Sequence, residues 1–212
     1  MELKKGLLGF YNYTVILTYA GMLAGFFGIV CAATDNSFGA LLCLMFSGLT
    51  DMFDGAVAAT KERTQAEKNF GIQIDSFSDL ICFGVLPAMI VFSVNKSVTV
   101  MIICGLYVLS ALIRLSFFNV DEQERQLTSS EQRELYYGMP VTLSALFIPV
   151  VFSAFSLARR GLDIALIVTI IMMGTLFLLP IPLKKPKMPG KIGFIVVGLL
   201  AVVLVMLAHS RV

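Results

Sequence analysis

The chain reads as an all-α, polytopic membrane bundle of about six to eight transmembrane helices, on three observations. Of its 212 residues 58% are hydrophobic and only 14% charged, and the mean hydropathy of +0.87 is far above that of a soluble domain. Apolar runs long enough to cross a bilayer core, which takes about 20 helical residues, recur along the whole length. Short loops carrying most of the Lys and Arg separate them.

The runs lie near residues 9–33, 37–59, 71–94, 97–119, 139–158, 162–183 and 192–208. The first follows a basic start, "MELKK", but is too long for a signal-peptide core and lacks a small-residue cleavage pattern, so it is read as a retained span. Its "AGMLAGFFG" (20–28) sets small residues at helical spacing, which lets another helix approach closely, within the chain or in a dimer. The second span carries Asp51 and Asp54 near its end, and the third carries Asp75 and Asp79 near its start. Pro87 predicts a kink further along the third. Arg114 falls inside the fourth, close to its end. Gly138 and Pro140 open the fifth, where proline is tolerated in a first turn. Loops are expected at Lys61–Lys68, at 121–137 and at 184–191. A single domain covers 1–212, with no linker and no internal repeat.

Short cytoplasmic loops collect Lys and Arg. With the N-terminus inside, Lys4, Lys5, Lys61, Arg63, Lys68, Arg125, Arg133, Lys184, Lys185, Lys187 and Lys191 face the cytosol. Lys96, Arg159, Arg160 and Arg211 face outward, so all four aspartates lie at similar depth near the cytosolic boundary. The protein is therefore expected in the cell membrane with its site facing the cytosol.

Several function classes drop out. Cys31, Cys43, Cys82 and Cys104 sit in apolar stretches with no CxxC pair and read as small buried hydrophobes. His209, the one histidine, is at the far end. A net charge of +2, spread over loops, gives no patch for nucleic acid, and none is expected as a partner.

The aspartates carry the functional reading. Helical residues three or four apart share a face, so Asp51 with Asp54, and Asp75 with Asp79, can meet across one cavity between consecutive antiparallel spans. An ionised Asp at the bilayer centre costs about 2.5–3.5 kcal/mol even on the insertion scale, so four together demand compensation. Pairing with Lys61, Arg63 or Lys68 would account for one such residue. Four at helical spacing point instead to a divalent cation, Mg²⁺, Mn²⁺ or Ca²⁺, since the donors are all hard oxygens; two ions would clamp a pyrophosphate. A proton or cation relay, as in a transporter, also uses intramembrane acids. It has no need of Gly55 beside Asp54 and Gly71 one turn before Asp75, which leave room for a bulky ligand.

"DMFDGAVAA…FGIQIDSFSD" resembles the signature of the CDP-alcohol phosphatidyltransferases, D-x-x-D-G-x-x-A-R followed by G-x-x-x-D-x-x-x-D, across residues 51–79. Asp51, Asp54, Gly55, Ala58, Gly71, Asp75 and Asp79 match it; Ala59 stands where the pattern has arginine, and Lys61 or Arg63 could neutralise phosphate in its place. The stretches "DSFSDLICFGVLPA", "ALIRLSFFNV" and "YYGMPVTLSA" are similar to the phosphatidylserine synthase branch of that family. Within "RLSFFN", Phe117 replaces a second arginine and leaves Arg114 alone.

The resemblance implies attack of an alcohol hydroxyl on a CDP-linked lipid with release of CMP, here from CDP-diacylglycerol to L-serine. It implies Asp51, Asp54, Asp75 and Asp79 as metal ligands, Asp79 as general base, and Gly55, Ala58 and Gly71 as room for the CDP moiety. Arg114, costly in a span unless it pairs or binds an anion, is the candidate for the serine carboxylate or lipid phosphate. The expected partners are these two substrates, membrane lipids and a second copy of the chain in a homodimer. The competing readings are the same chemistry on glycerol 3-phosphate or an inositol phosphate, and a cation-coupled transporter.

Overall fold

The computed structural model describes residues 8–128, 135–184 and 188–210. Of the charges used to orient the chain, Lys4, Lys5, Arg133, Lys185, Lys187 and Arg211 lie outside the described residues, as do 129–134 and 185–187 of the two later loops.

Helix α1 (Ile16–Ala33) follows a 3₁₀ turn capped by Asn12, and α2 (Ser37–Ala58) starts where Asn36 Oδ1 accepts the Gly39 amide at 2.9 Å. Helix α3 (Gln65–Asp79) begins at Gln65, ahead of the predicted 71. The cause is a capping box, in which Thr64 Oγ1 accepts the Glu67 amide (3.3 Å) and Glu67 Oε2 accepts the Thr64 amide (2.9 Å). Polar residues of the expected loop are thereby drawn into the helix.

The same rod continues through a π turn, Leu80–Val85, into α4 (Leu86–Val94). Pro87 has no N–H to offer the carbonyl four residues back, that of Phe83. Tyr107 and Ser144 donate their hydroxyls to that oxygen instead, at 2.8 and 3.3 Å, which lets the proline sit inside a spanning helix. The expected kink is realised as a widened turn.

Helix α5 (Val98–Thr128) runs past the predicted end at 119, because "DEQERQL" is made largely of good helix formers. Strand β1 (Leu135–Tyr137) pairs antiparallel with β2 (Pro182–Lys184), a pair of three-residue strands in an otherwise helical fold. Helix α6 (Ser144–Ala158) and α7 (Leu162–Leu178) follow, then α8 (Met188–His209). The sixth run stops at Leu178, short of 183, since Leu179 precedes Pro180 and adopts an extended backbone.

Among the described residues five helical runs, Tyr13–Ala33, Ser37–Ala58, Gln65–Val94, Val98–Glu124 and Val141–Ala158, are long and apolar enough to cross a membrane. Leu162–Leu178 and Val197–Leu207 are shorter apolar helices. The all-α membrane bundle expected from composition is what forms. Its connections alternate between two ends. Lys96 Nζ pairs with Asp35 at 2.7 Å, and Asn95 donates to Asp163 at 3.5 Å, gathering the α1–α2, α4–α5 and α6–α7 connections at one end. At the other end β1 meets β2, and the Gly138 amide donates to the Ile181 carbonyl at 2.9 Å. Gly138, at φ +77°, suits that approach, since a Cβ there would lie 3.1 Å from the Phe177 carbonyl oxygen.

The buried core, with Leu41, Leu44, Phe83, Leu86, Ile90, Tyr107, Ile148, Ile170 and Phe177, sits between α2, α4, α5, α6 and α7. Phe26, Phe27, Ile102, Leu106, Ile164 and Val168 point outward. Since lipid is as apolar as they are, association of these helices rests on close packing and interhelical hydrogen bonds. The buried face of α1 is Thr18, Gly21, Gly25, Gly28 and Ala32, so the small-residue stripe is used within the chain.

Candidate active site

All four aspartates line one narrow cleft, together with Thr18, Gly21, Ser47, Thr50, Ser78, Cys82 and Phe83. Helix α2 contributes Asp51 and Asp54, and α3 contributes Asp75 and Asp79; each is half-buried. Across the cleft Asp54 faces Asp75, and Asp51 faces Asp79. The facing pairs thus join the two helices, as their spacing requires.

Helix α1 forms the third wall. Thr18 Oγ1 donates to Asp54 Oδ2 at 3.1 Å, holding that carboxylate from a helix the motif does not include. Beyond Thr18 the wall is tight because α1 presents glycines there. A Cβ on Gly21 would lie 2.5 Å from Thr50 Oγ1, and one on Gly25 would lie 2.5 Å from Cys82 Sγ. The exposed backbone is used as well: Ser47 Oγ donates to the Gly21 carbonyl at 2.9 Å, Cys82 Sγ to the same oxygen at 3.3 Å, and Ser78 Oγ to the Thr18 carbonyl at 3.4 Å. Ser76, on the other side of α3, donates to Asn119 of α5 at 3.0 Å.

One carboxylate oxygen from each of Asp51, Asp54 and Asp75 lies within 4.8 Å of the other two. Three hard anionic donors that close can share one divalent cation, whereas without one their like charges repel in a medium that screens poorly. The triad could therefore hold a metal ion. Among the described residues no basic side chain lines the cleft. Lys61, one of the cations that could have paired with an aspartate, is turned away to Glu67 at 3.4 Å, and Asn12 donates to the same carboxylate oxygen at 3.0 Å.

The other sequence candidates fall outside the cleft lining. Gly55, Ala58 and Gly71 lie on the turns of α2 and α3 leading outward from the aspartates. A Cβ on Gly55 would meet nothing within 4 Å, so the space beside Asp54 is open; one on Gly71 would lie 3.3 Å from Arg63 Nη1. Arg114 is buried in α5 with its guanidinium 5.4 Å from the Phe118 ring centroid and its Nε 3.2 Å from where a Gly138 Cβ would stand. It supports the α5–α6 connection and is not brought into the cleft with the aspartates. Thr18, Ser47 and Cys82 were not anticipated. Their only signal was that small hydrogen-bonding residues at helical spacing interrupt apolar spans.

Residues 11–210 match the CDP-alcohol phosphatidyltransferase family. Over 134 residues the chain is 30% identical to a CDP-diacylglycerol–serine O-phosphatidyltransferase of Bacillus subtilis, an overlap of 62% of this chain and 70% of that one. Identity to the enzyme of the same name from Saccharomyces cerevisiae is 36% over 98 residues, covering 44% of this chain and 34% of the yeast protein. An archaetidylserine synthase of Methanothermobacter thermautotrophicus is 29% identical over 146 residues, 68% of this chain and 59% of its own length.

Proposed function

Because the chain belongs to the CDP-alcohol phosphatidyltransferase family, we propose that it transfers the phosphatidyl group of CDP-diacylglycerol to L-serine, forming phosphatidylserine and CMP. The carrying observation is the Asp51, Asp54 and Asp75 triad, gathered within 4.8 Å in a cleft between membrane-spanning helices. The choice of serine is supported by relatives whose names specify serine or a serine-lipid product. A cleft without lysine or arginine among the described residues also suits it better than an acceptor bearing a further phosphate, such as glycerol 3-phosphate or an inositol phosphate. Family membership leaves the cation-transporter reading without support.

In this reading Asp51, Asp54 and Asp75, with help from Asp79, hold the divalent cation. When bound, that ion, Mg²⁺ or Mn²⁺, with Ca²⁺ able to occupy the site, supplies positive charge to the pyrophosphate. Asp79 accepts the proton of the serine hydroxyl as its oxygen bonds to the lipid-side phosphorus and the bond to the CMP oxygen breaks. Thr18 keeps Asp54 oriented for its role as ligand. Gly55, Ala58 and Gly71 leave the approach open to the CDP group. The depth of the site suits an amphiphile whose nucleotide needs water and whose acyl chains need the bilayer. We take the cleft to open to the cytosol across the cell membrane. We also take the enzyme to be a homodimer, with its contact on an outward apolar face, since the glycine stripe of α1 is occupied within the chain.

The test is CMP release by purified protein given CDP-diacylglycerol and, in turn, serine, glycerol 3-phosphate and an inositol phosphate. Serine alone should support turnover; EDTA should abolish it and Mg²⁺ or Mn²⁺ restore it. Turnover with another acceptor but not serine, or full activity after exhaustive chelation, would overturn the reading.

A further inference from the structure

We propose that Arg63 is the phosphate-binding cation of this site, gripping the nucleotide-side phosphate of the bound donor; the assignment rests on the transferase reading above. One divalent ion shared by three carboxylates leaves the charge of a bound pyrophosphate only partly balanced. Among the described residues the cleft supplies no basic side chain for it, and Ala59, at the end of α2, is exposed and uncharged. The cations of the α2–α3 connection are Lys61 and Arg63.

They are disposed differently. Lys61 is engaged by Glu67, whose carboxylate also accepts from Thr64 and Asn12, so recruiting Lys61 would break that pair at the start of α3. Arg63 is half-buried and makes no ion pair among the described residues. Its Nη1 lies 3.3 Å from the point a Gly71 Cβ would occupy. The guanidinium therefore rests against bare backbone, one turn outward of Asp75, where any side chain at position 71 would crowd it.

On α2, a Cβ on Gly55, the residue after Asp54, would meet nothing within 4 Å. The turns outward of the aspartates thus carry an open glycine on α2 and, on α3, a glycine with a guanidinium resting on it. A planar guanidinium can bind two phosphate oxygens at once, which an ammonium cannot match. Gly71 thus leaves room for the guanidinium as well as for the nucleotide it would grip.

The experiment measures CMP affinity by calorimetry on detergent-purified protein with Mn²⁺ present, alongside steady-state kinetics and thermal unfolding. Arg63→Ala should weaken CMP binding and raise KM for CDP-diacylglycerol by about tenfold or more while leaving KM for serine within about twofold. Arg63→Lys should recover part of the loss, and Lys61→Gln should bind CMP as the wild type does. Undiminished CMP affinity in Arg63→Ala, or a loss confined to Lys61→Gln, overturns the assignment. So does a loss that Arg63→Lys fails to relieve and that tracks a lowered unfolding temperature. Should the wild type bind CMP through Arg63 yet release none from CDP-diacylglycerol with serine, the acceptor reading fails and Arg63 stands. Should it turn over with serine while Arg63→Ala binds CMP normally, Arg63 alone fails.

Discussion

Asp79 and Asp54 line one cleft but have different neighbours. Asp54 accepts a hydrogen bond from Thr18 and belongs to the triad whose oxygens converge, while Asp79 faces Asp51 from outside that triad. A ligand and a base can be separated by substitutions that keep shape and remove charge. Asp79→Asn should leave CDP-diacylglycerol binding within about tenfold, about 1.4 kcal/mol, while turnover falls by roughly 10² to 10⁴. Asp54→Asn should lose binding and turnover together, because a lost ligand weakens the hold on the pyrophosphate. Calorimetric titration of CDP-diacylglycerol beside CMP-release assays reads the two quantities. Near-wild-type turnover in Asp79→Asn would make Asp79 a plain ligand.

Among the elements, α1 does most to shape the site without contributing a carboxylate. Its glycines allow α2 and the π turn after Asp79 to reach its backbone, and the carbonyls so exposed receive Ser47, Ser78 and Cys82. Each such interhelical bond is worth only about 0.6 kcal/mol on average in a membrane, so close packing carries the larger share. Gly25→Ala puts a methyl 2.5 Å from Cys82 Sγ and 3.3 Å from Cys82 Cα. It should destabilise the protein by about 1–3 kcal/mol through overpacking. Thermal unfolding in detergent checks this, and Gly25→Ala with Cys82→Ala should cost less than the sum of the two because the sulfur contact is relieved. Additive losses would show that the strain lies elsewhere. The π turn is held by a comparable device, with the Tyr107 and Ser144 hydroxyls replacing the amide that Pro87 lacks.

For the whole molecule, the even alternation of connections puts the aspartate-bearing ends of α2 and α3 opposite the end tied by Lys96 and Asp35. If the cleft opens to the cytosol as proposed, the aspartate end faces it. Introduced cysteines at Glu62 and Arg160, both exposed and at opposite ends, should respond differently to an impermeant maleimide on intact cells. Arg160→Cys should label directly and Glu62→Cys only after permeabilisation, with the unmodified chain reading the background of its native thiols. The reverse pattern would invert the orientation. Arg159 and Arg160, which run against the positive-inside bias, belong to the end away from the cleft in either case.

The spans and the four aspartates were legible because both are local properties. Bilayer thickness sets the length of an apolar run, and three- or four-residue spacing puts two side chains on one helical face whatever surrounds it. The start of α3 was also written locally, in Thr64 and Glu67 three residues apart, a capping box hidden inside a polar loop. Tertiary structure alone decided which face of α1 turns inward, that Thr18 holds Asp54 across 36 positions of sequence, that Lys61 goes to Glu67 while Arg63 lies on Gly71, and that Arg114 packs beneath Gly138 instead of entering the cleft. Those outcomes depend on how each helix is rotated and how closely it approaches its neighbours. Periodicity specifies a helix's face but not the neighbour that will cover it, and in lipid, where apolar contact is no cheaper inside than out, the small residues and buried hydroxyls of distant helices make that choice.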